Sequence, residues 1–275
     1  MSDNWPGDAP PHQNGPVPFD TSVANIARVY DYWLGGKDNF AADREAANLA
    51  LDAYPDLVSS VRANRAFLAR AVRYLAAKAG VRQFLDIRTG IPTADNTHEV
   101  AQSAAPSSRV VYVDNDPIVL THARALLTSG PEGGTAYVDA DLRDTGCVLA
   151  GAAELLDFSR PVAVMLIAVL HLIGDEDQPQ DIVKRLMTAA APGSYLALSH
   201  VAADIEPEAT AEVARRLNRM VAQKSTYRSH AEVTRFFDGL ELVEPGVTAV
   251  PHWRPATDVE AASPAAMWGG VARKA

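Results

Sequence analysis

The chain has 275 residues, a net charge of −9 and 48% hydrophobic residues, enough for one large α/β domain with an appendage, or for two small domains. The acidic balance and the lack of a basic stripe argue against nucleic acid as a partner, since that binding neutralises phosphates with Lys and Arg. The single cysteine, Cys147, excludes an intramolecular disulfide and disfavours a thiolate metal site. No His/Asp/Glu set has metal-ligand spacing, so no metal is expected. The longest apolar run, Val162 to Ile173, contains His171 and is too short to span a bilayer, so no membrane is expected. The region near Met1 lacks the basic-then-apolar plan of a secretory signal, and the expected location is cytoplasmic.

Residues 1–18 carry five prolines among Gly, Asp and Asn and are expected to form a disordered tail. Residues 19–80 are expected to form an N-terminal helical cap. Asp20 is a candidate N-cap, and Ile26, Val29, Tyr30 and Trp33 recur at helical spacing until Gly35-Gly36 stops the run. A second helix is predicted from about Phe40 to Ala53, where Pro55-Asp56 breaks it. A third, from about Leu57 to Lys78, closes at Gly80.

From residue 81 to 275 the rhythm becomes alternating strands and helices. Strands are predicted near 83–87, 109–114, 135–139, 162–168 and 194–200, with helices near 94–104, 117–128, 178–190 and 206–222. Such alternation means a mostly parallel sheet with helices on both faces. A short helix near 230–237, a strand near 240–243 and segments near 247–252 and 267–273 follow, read as an antiparallel edge hairpin.

Two strands end on acids: Phe84-Leu85-Asp86-Ile87 before the turn Arg88-Thr89-Gly90, and Val111-Tyr112-Val113-Asp114 before Asn115-Asp116-Pro117. Neighbouring parallel strands of this kind place their carboxyl ends around a ligand. A nicotinamide dinucleotide site would want Gly-x-Gly-x-x-Gly, but Arg88 and Thr93 occupy two of the three glycine positions. A Walker phosphate loop is also absent. The remaining acid-x-x-x-Gly plan suits a ligand without pyrophosphate but with a cationic centre and an amino-acid portion. S-adenosylmethionine has that character.

The blocks Val29-Tyr30-Asp31-Tyr32-Trp33-Leu34-Gly35-Gly36-Lys37-Asp38-Asn39-Phe40, Phe84 to Thr93 and Val111 to Pro117 carry a further likeness. It continues through Asp139 to Asp144, Val169-Leu170-His171 and Tyr227-Arg228-Ser229. Over Phe19 to Lys274 the sequence resembles the class I S-adenosylmethionine-dependent methyltransferases, and within them an actinobacterial family formerly catalogued as a domain of unknown function. The resemblance implies a Rossmann-like fold: a mostly parallel seven-stranded sheet with an antiparallel edge strand. It also implies definite roles. Asp86, Thr89 and Gly90 would line the methionine portion, Asp114 the ribose hydroxyls, and Asn115, Asp141 and Leu142 the adenine. Ala168 and Val169 would floor the cofactor and face the acceptor.

Arg88 departs from the family, which usually has glycine there. It either points outward, binds the cofactor's carboxylate, or weakens the site. The Gly35–Phe40 turn, with Tyr30, Trp33 and Phe40, would wall off water if folded over the strand ends, which adds Tyr30, Gly36 and Lys37 to the candidate cofactor residues. His171 and His200, each after a strand, are candidate general bases or hydrogen-bonded structural histidines. Tyr227 and Arg228 either reach the acceptor or anchor the following helix, and His98 is expected to be structural. The expected function is methyl transfer to a small-molecule acceptor. A binding protein that holds the same cofactor without turnover is the alternative.

Overall fold

In the computed structural model the described residues are 20–91, 95–119, 121 and 129–275. The expected tail at 1–18 and most of the expected helix 117–128 lie outside them. Among the described residues eight strands form one sheet: β1 (Gln83–Ile87), β2 (Arg109–Asp114), β3 (Gly134–Asp139), β4 (Ala163–Ile167), β5 (Tyr195–Val201), β6 (Glu241–Leu242), β7 (Thr248–Ala249) and β8 (Met267–Arg273). Their order is β3-β2-β1-β4-β5-β8-β6, with β7 also on β8. The first five strands are parallel. β8 runs antiparallel to β5, β6 and β7.

Two details differ from the sequence reading. The sheet has eight strands rather than seven, because two dipeptide strands count. The late strands also form no hairpin with one another: both pair with β8, which is therefore interior, between β5 and β6. Its sequence Met267-Trp268-Gly269-Gly270-Val271-Ala272 explains how it fits. A Cβ on Gly269 would sit 2.8 Å from Val250 Cγ1 and 3.1 Å from Phe67 Cζ, so only glycine admits those neighbours.

Helices α1 (Ile26–Trp33), α2 (Ala41–Ala53) and α3 (Leu57–Ala77) match the expected three. Asn25, rather than Asp20, caps α1 by accepting from the Ala27 amide at 2.8 Å. The buried Asp43 carboxylate joins the first two helices. It accepts from Asn25 N at 2.8 Å and Phe40 N at 2.8 Å, and pairs with Arg28 at 2.7 Å. α3 serves two layers. Phe67, Val72 and Leu75 pack on the sheet with Phe84, Tyr112 and Met165, while Val61 joins α1, α2 and α7.

The remaining helices are α4 (Thr97–Ala104), α5 (Thr145–Ala152), α6 (Pro179–Ala189), α7 (Pro207–Met220), α8 (His230–Thr234) and α9 (Asp258–Ala261). α5 and α9 were not expected. α5 is eight residues with two glycines, a weak helical signal. Asp144 caps it through the Cys147 amide at 2.9 Å, and Gly151 lets it approach β3, since a Cβ there would lie 2.7 Å from Val138 Cγ1. The sheet's second face is covered through Leu85, Ile87, Val111, Val164 and Leu196, which pack under α5 and α6. Alternation of Phe84 to one face and Leu85 to the other is the period-2 pattern of a strand buried on both sides.

Between β1 and β4 the strand order reverses direction. A crevice at the carboxyl ends of the strands is expected at such a switch.

Candidate functional site

The crevice is there. A cleft with about 1280 Å³ of empty space, mouth included, is lined at one end by Asp86, Arg88, Thr89, Gly90 and Asp114. Its floor is Ile167 and Ala168, followed by His171, and its far wall comes from α1, α3 and α7.

The acidic end is built from two strand termini. Asp86 is 3% exposed, and its Oδ2 accepts from the Thr97 hydroxyl at 2.6 Å. Burial raises its pKa to about 6, against the lowering influence of Thr97 and Arg65. Asp114, 4% exposed, accepts from Asp116 N at 3.0 Å and Gly90 N at 3.2 Å. Burial also raises its pKa, while the nearby Arg88 charge opposes the rise. Two buried carboxylates with few protein donors lie at this end of the cleft. A cationic or hydroxyl-bearing ligand would complete both.

The turn between them is left-handed at Arg88 (φ 58°) and Gly90 (φ 69°). The Arg88 amide donates to Val113 O at 2.7 Å, continuing the ladder. A non-glycine residue in this region costs about 1 kcal/mol. Of the three readings of Arg88, the outward one is excluded. Its side chain lines the cleft, and its charge is felt at both Asp114 and His171. The guanidinium makes no hydrogen bond or ion pair among the described residues.

Ala168 is also left-handed (φ 52°), and its amide is held by Ser199, through the carbonyl at 3.1 Å and the hydroxyl at 3.0 Å. Ser199 donates to Asn64 Oδ1 at 2.6 Å, Asn64 Nδ2 to the Tyr30 hydroxyl at 3.1 Å, and that hydroxyl to Val61 O at 3.4 Å. This buried chain ties the cleft floor to α3 and α1. Tyr30 is thus a lining residue with a committed hydroxyl.

His171 lines the cleft and is 8% exposed. Its Nδ1 is buried without a partner. Burial, then the charges of His200, Arg88 and Arg228, push its pKa well below the usual value, so the ring is neutral at physiological pH. Arg228 fixes the turn that carries it by donating to Leu170 O and Ile173 O, both at 2.9 Å, and pairing with Asp175 at 2.6 Å. Tyr227, next in the chain, does reach the cleft, with its ring 6.2 Å from that of His171.

Other expected residues lie elsewhere. His200 does not line the cleft. It is fully buried, with Nδ1 bonded to Val201 O at 2.8 Å and Nε2 to Arg228 at 3.0 Å, and burial brings its pKa down to about 4. Both nitrogens being spent, it has no proton site for an acceptor. Val169 and Leu142 belong to the core beneath the sheet's second face. Asn115 and Asp141 meet each other at 3.0 Å outside the cleft lining, and Asp141 also pairs with Arg143 at 2.9 Å. Lys37 is exposed. Gly36 packs on Asp31, where a Cβ would fall 1.9 Å from Asp31 Oδ1, so the glycine shapes the turn rather than the cleft. Phe40 lies under the Arg28 guanidinium at 5.4 Å. His98 is structural as expected, bonded to the Tyr112 hydroxyl at 2.8 Å.

Asp31, Asn64 and Arg65 were missed. Asp31 is buried in the cleft wall and accepts from Asp38 N at 3.0 Å and Asn39 Nδ2 at 2.9 Å, pinning the Gly35–Asn39 turn. The lone Asn64 on an Ala-, Leu- and Arg-rich helix was a usable signal. Among the described residues no group of three His, Cys, Asp or Glu is arranged to hold a metal, and no helix is long and apolar enough to cross a membrane.

A family model described as S-adenosyl methyltransferase matches residues 12–275. A DUF574 family protein from Streptomyces avermitilis is 49% identical over 93% of this chain and 99% of its own, with a TM-score of 0.90. A putative methyltransferase from Thermobifida fusca is 42% identical over 93% and 96%, with a TM-score of 0.85. The plantazolicin methyltransferase BpumL, solved with S-adenosylhomocysteine, is 10% identical over 90% and 95% at a TM-score of 0.50, a likeness of fold alone. No curated protein matches the sequence. The fold is Rossmann-like, the cofactor is S-adenosylmethionine, and the chain belongs to the S-adenosyl methyltransferase family.

Proposed function

We propose that the protein methylates a small-molecule acceptor held between the acidic end of the cleft and its helical wall. The observation that carries this reading is one continuous cleft joining two under-satisfied carboxylates to a large apolar lobe. When bound, S-adenosylmethionine supplies a methyl group on an electrophilic sulfonium carbon.

Asp86 would hold the ammonium of the methionine portion, with the Gly90 turn allowing close backbone approach. Asp114 would accept from the ribose hydroxyls. Arg88, whose guanidinium has no hydrogen bond or ion pair among the described residues, would take the cofactor's carboxylate. Ala168 floors the reacting region. The protein's contribution is alignment and exclusion of water. His171, neutral and beside that floor, is placed to receive the acceptor's proton. A weak base suffices there, because the acceptor's proton becomes more acidic as the new bond forms.

Calorimetric titration with S-adenosylhomocysteine, against NAD as control, tests the cofactor end. Binding of the first alone is expected, and Asp114→Ala should weaken it by roughly 1–3 kcal/mol by stranding buried partners. Unchanged affinity would remove Asp114 from the ribose site. The regulatory-binding alternative predicts that binding persists with no methylated product across a broad acceptor panel.

A further inference from the structure

We infer that the acceptor is an uncharged, largely apolar ring compound that presents a hydroxyl to His171 and Tyr227. This rests on the methyltransferase reading above and names its substrate class. The lobe beyond Ala168 is walled by aliphatic side chains, Ile26, Leu57, Val213, Leu217 and Met267 among them. The rings of Tyr30, Trp33 and Tyr54 complete it. Aromatic walls favour flat apolar partners.

The lobe's polar atoms have little left to offer. Tyr30 and Asn64 spend theirs on each other and on Ser199 and Val61. Trp33 Nε1 donates to Ala47 O at 3.3 Å. The Ser60 hydroxyl donates to Tyr54 at 3.4 Å and accepts from Ala266 N at 3.1 Å. Thr210 donates back to Glu206 O at 3.1 Å. The Asp31 carboxylate already serves the Gly35–Asn39 turn. The Arg65 guanidinium, also in the lining, donates to Asp95 O at 3.2 Å, so a charged acceptor buried here would have to share a counter-ion that the protein already holds, a cost that disfavours it.

At the junction with the acidic end the situation inverts. Among the described residues the buried His171 Nδ1 has no hydrogen-bond partner and the Tyr227 hydroxyl makes no hydrogen bond, and burial alone pushes the Tyr227 phenol up. One hydroxyl can satisfy both, donating to the imidazole and accepting from the phenol. An amine held as ammonium fits less well, because the Arg88 and Arg228 charges act on the same spot. In the transfer, the acceptor oxygen bonds to the methyl carbon as the carbon–sulfur bond breaks with its pair on sulfur. The hydroxyl proton passes to a His171 nitrogen and on to solvent.

Three probes differing in charge test this by calorimetry on the S-adenosylhomocysteine-saturated protein: 2-naphthol, 6-hydroxy-2-naphthoate and naphthylmethylammonium. The neutral naphthol should bind at least about tenfold more tightly than either ion. Ala27→Trp, which fills the lobe from α1, should weaken naphthol about tenfold or more with S-adenosylhomocysteine affinity held within roughly threefold. Should that variant lose the nucleoside as well, Val213→Phe fills the same lobe from α7 and is read in its place. Equal or tighter binding of an ion, no naphthol binding at millimolar concentration, or indifference to lobe filling would overturn the inference and leave the cofactor assignment standing. Failure of S-adenosylhomocysteine to bind would instead overturn the assignment beneath it.

Discussion

The two ends of the cleft solve opposite problems. At the strand termini, Asp86, Asp114 and Arg88 are left with fewer partners than their chemistry wants, and the backbone is strained at Arg88 and Ala168. Under the helical wall the hydroxyl, amide and indole groups are bonded to one another, and the backbone is ordinary helix. An end that withholds satisfaction gains from a polar ligand; an end already satisfied can only select by shape and dryness.

The largest way to break this contrast is to cut the chain that joins the ends. Asn64→Leu strands the Ser199 hydroxyl and frees Tyr30, and should cost roughly 2–4 kcal/mol of stability, read by chemical denaturation. A loss within experimental noise would mean the wall and floor are not coupled.

Asp86→Asn sharpens the contrast in the other direction. A carboxyl whose folded pKa is raised to about 6 binds its proton more tightly folded than unfolded. Its contribution to stability is therefore present below the unfolded value and lost as pH rises through about 6. At pH 7.5 the neutral isostere should make the ligand-free protein more stable by roughly 1–3 kcal/mol while weakening S-adenosylhomocysteine. Loss of both stability and affinity would refute the idea that the acid is held for a ligand.

The same group predicts a pH profile. A bound ammonium favours the ionised carboxylate, so affinity should fall as pH drops through about 6, by up to about tenfold per unit. The slope should vanish in Asp86→Asn. Smallest is Arg88→Gly, which relieves the left-handed backbone and should gain about 1 kcal/mol in stability. Its nucleoside affinity should fall all the same. If affinity rises instead, the arginine is an intruder and not a ligand.

Much of the acidic end was legible in sequence because it is local: a strand, an acid and a glycine turn lie within eight residues, Gln83 to Gly90. The first five strands were equally readable from their apolar runs. What escaped is non-local. Ser199 and Asn64 are 135 residues apart, and no pattern in either segment announces the other. β8 reads like an edge strand until Gly269 and Gly270 are seen against Phe67 and Phe237. Asn115 and Asp141 looked like ligands singly, whereas the fold brings them to each other. His171 and His200 have the same position after a strand. Only Arg228, donating to the His200 ring while bracing the His171 turn, separates a committed imidazole from a free one.

The position of β8 also orders events during synthesis. The acidic end of the cleft draws on the termini of β1, β2 and β4, all within the first 170 or so residues, which leave the ribosome first. The hydrophobic chamber needs Met267, whose strand docks on β5 across a long stretch of intervening chain. A nascent chain on the ribosome can thus bring together the acidic strand termini first and complete the apolar lobe only once the C-terminal strand has slotted into the sheet.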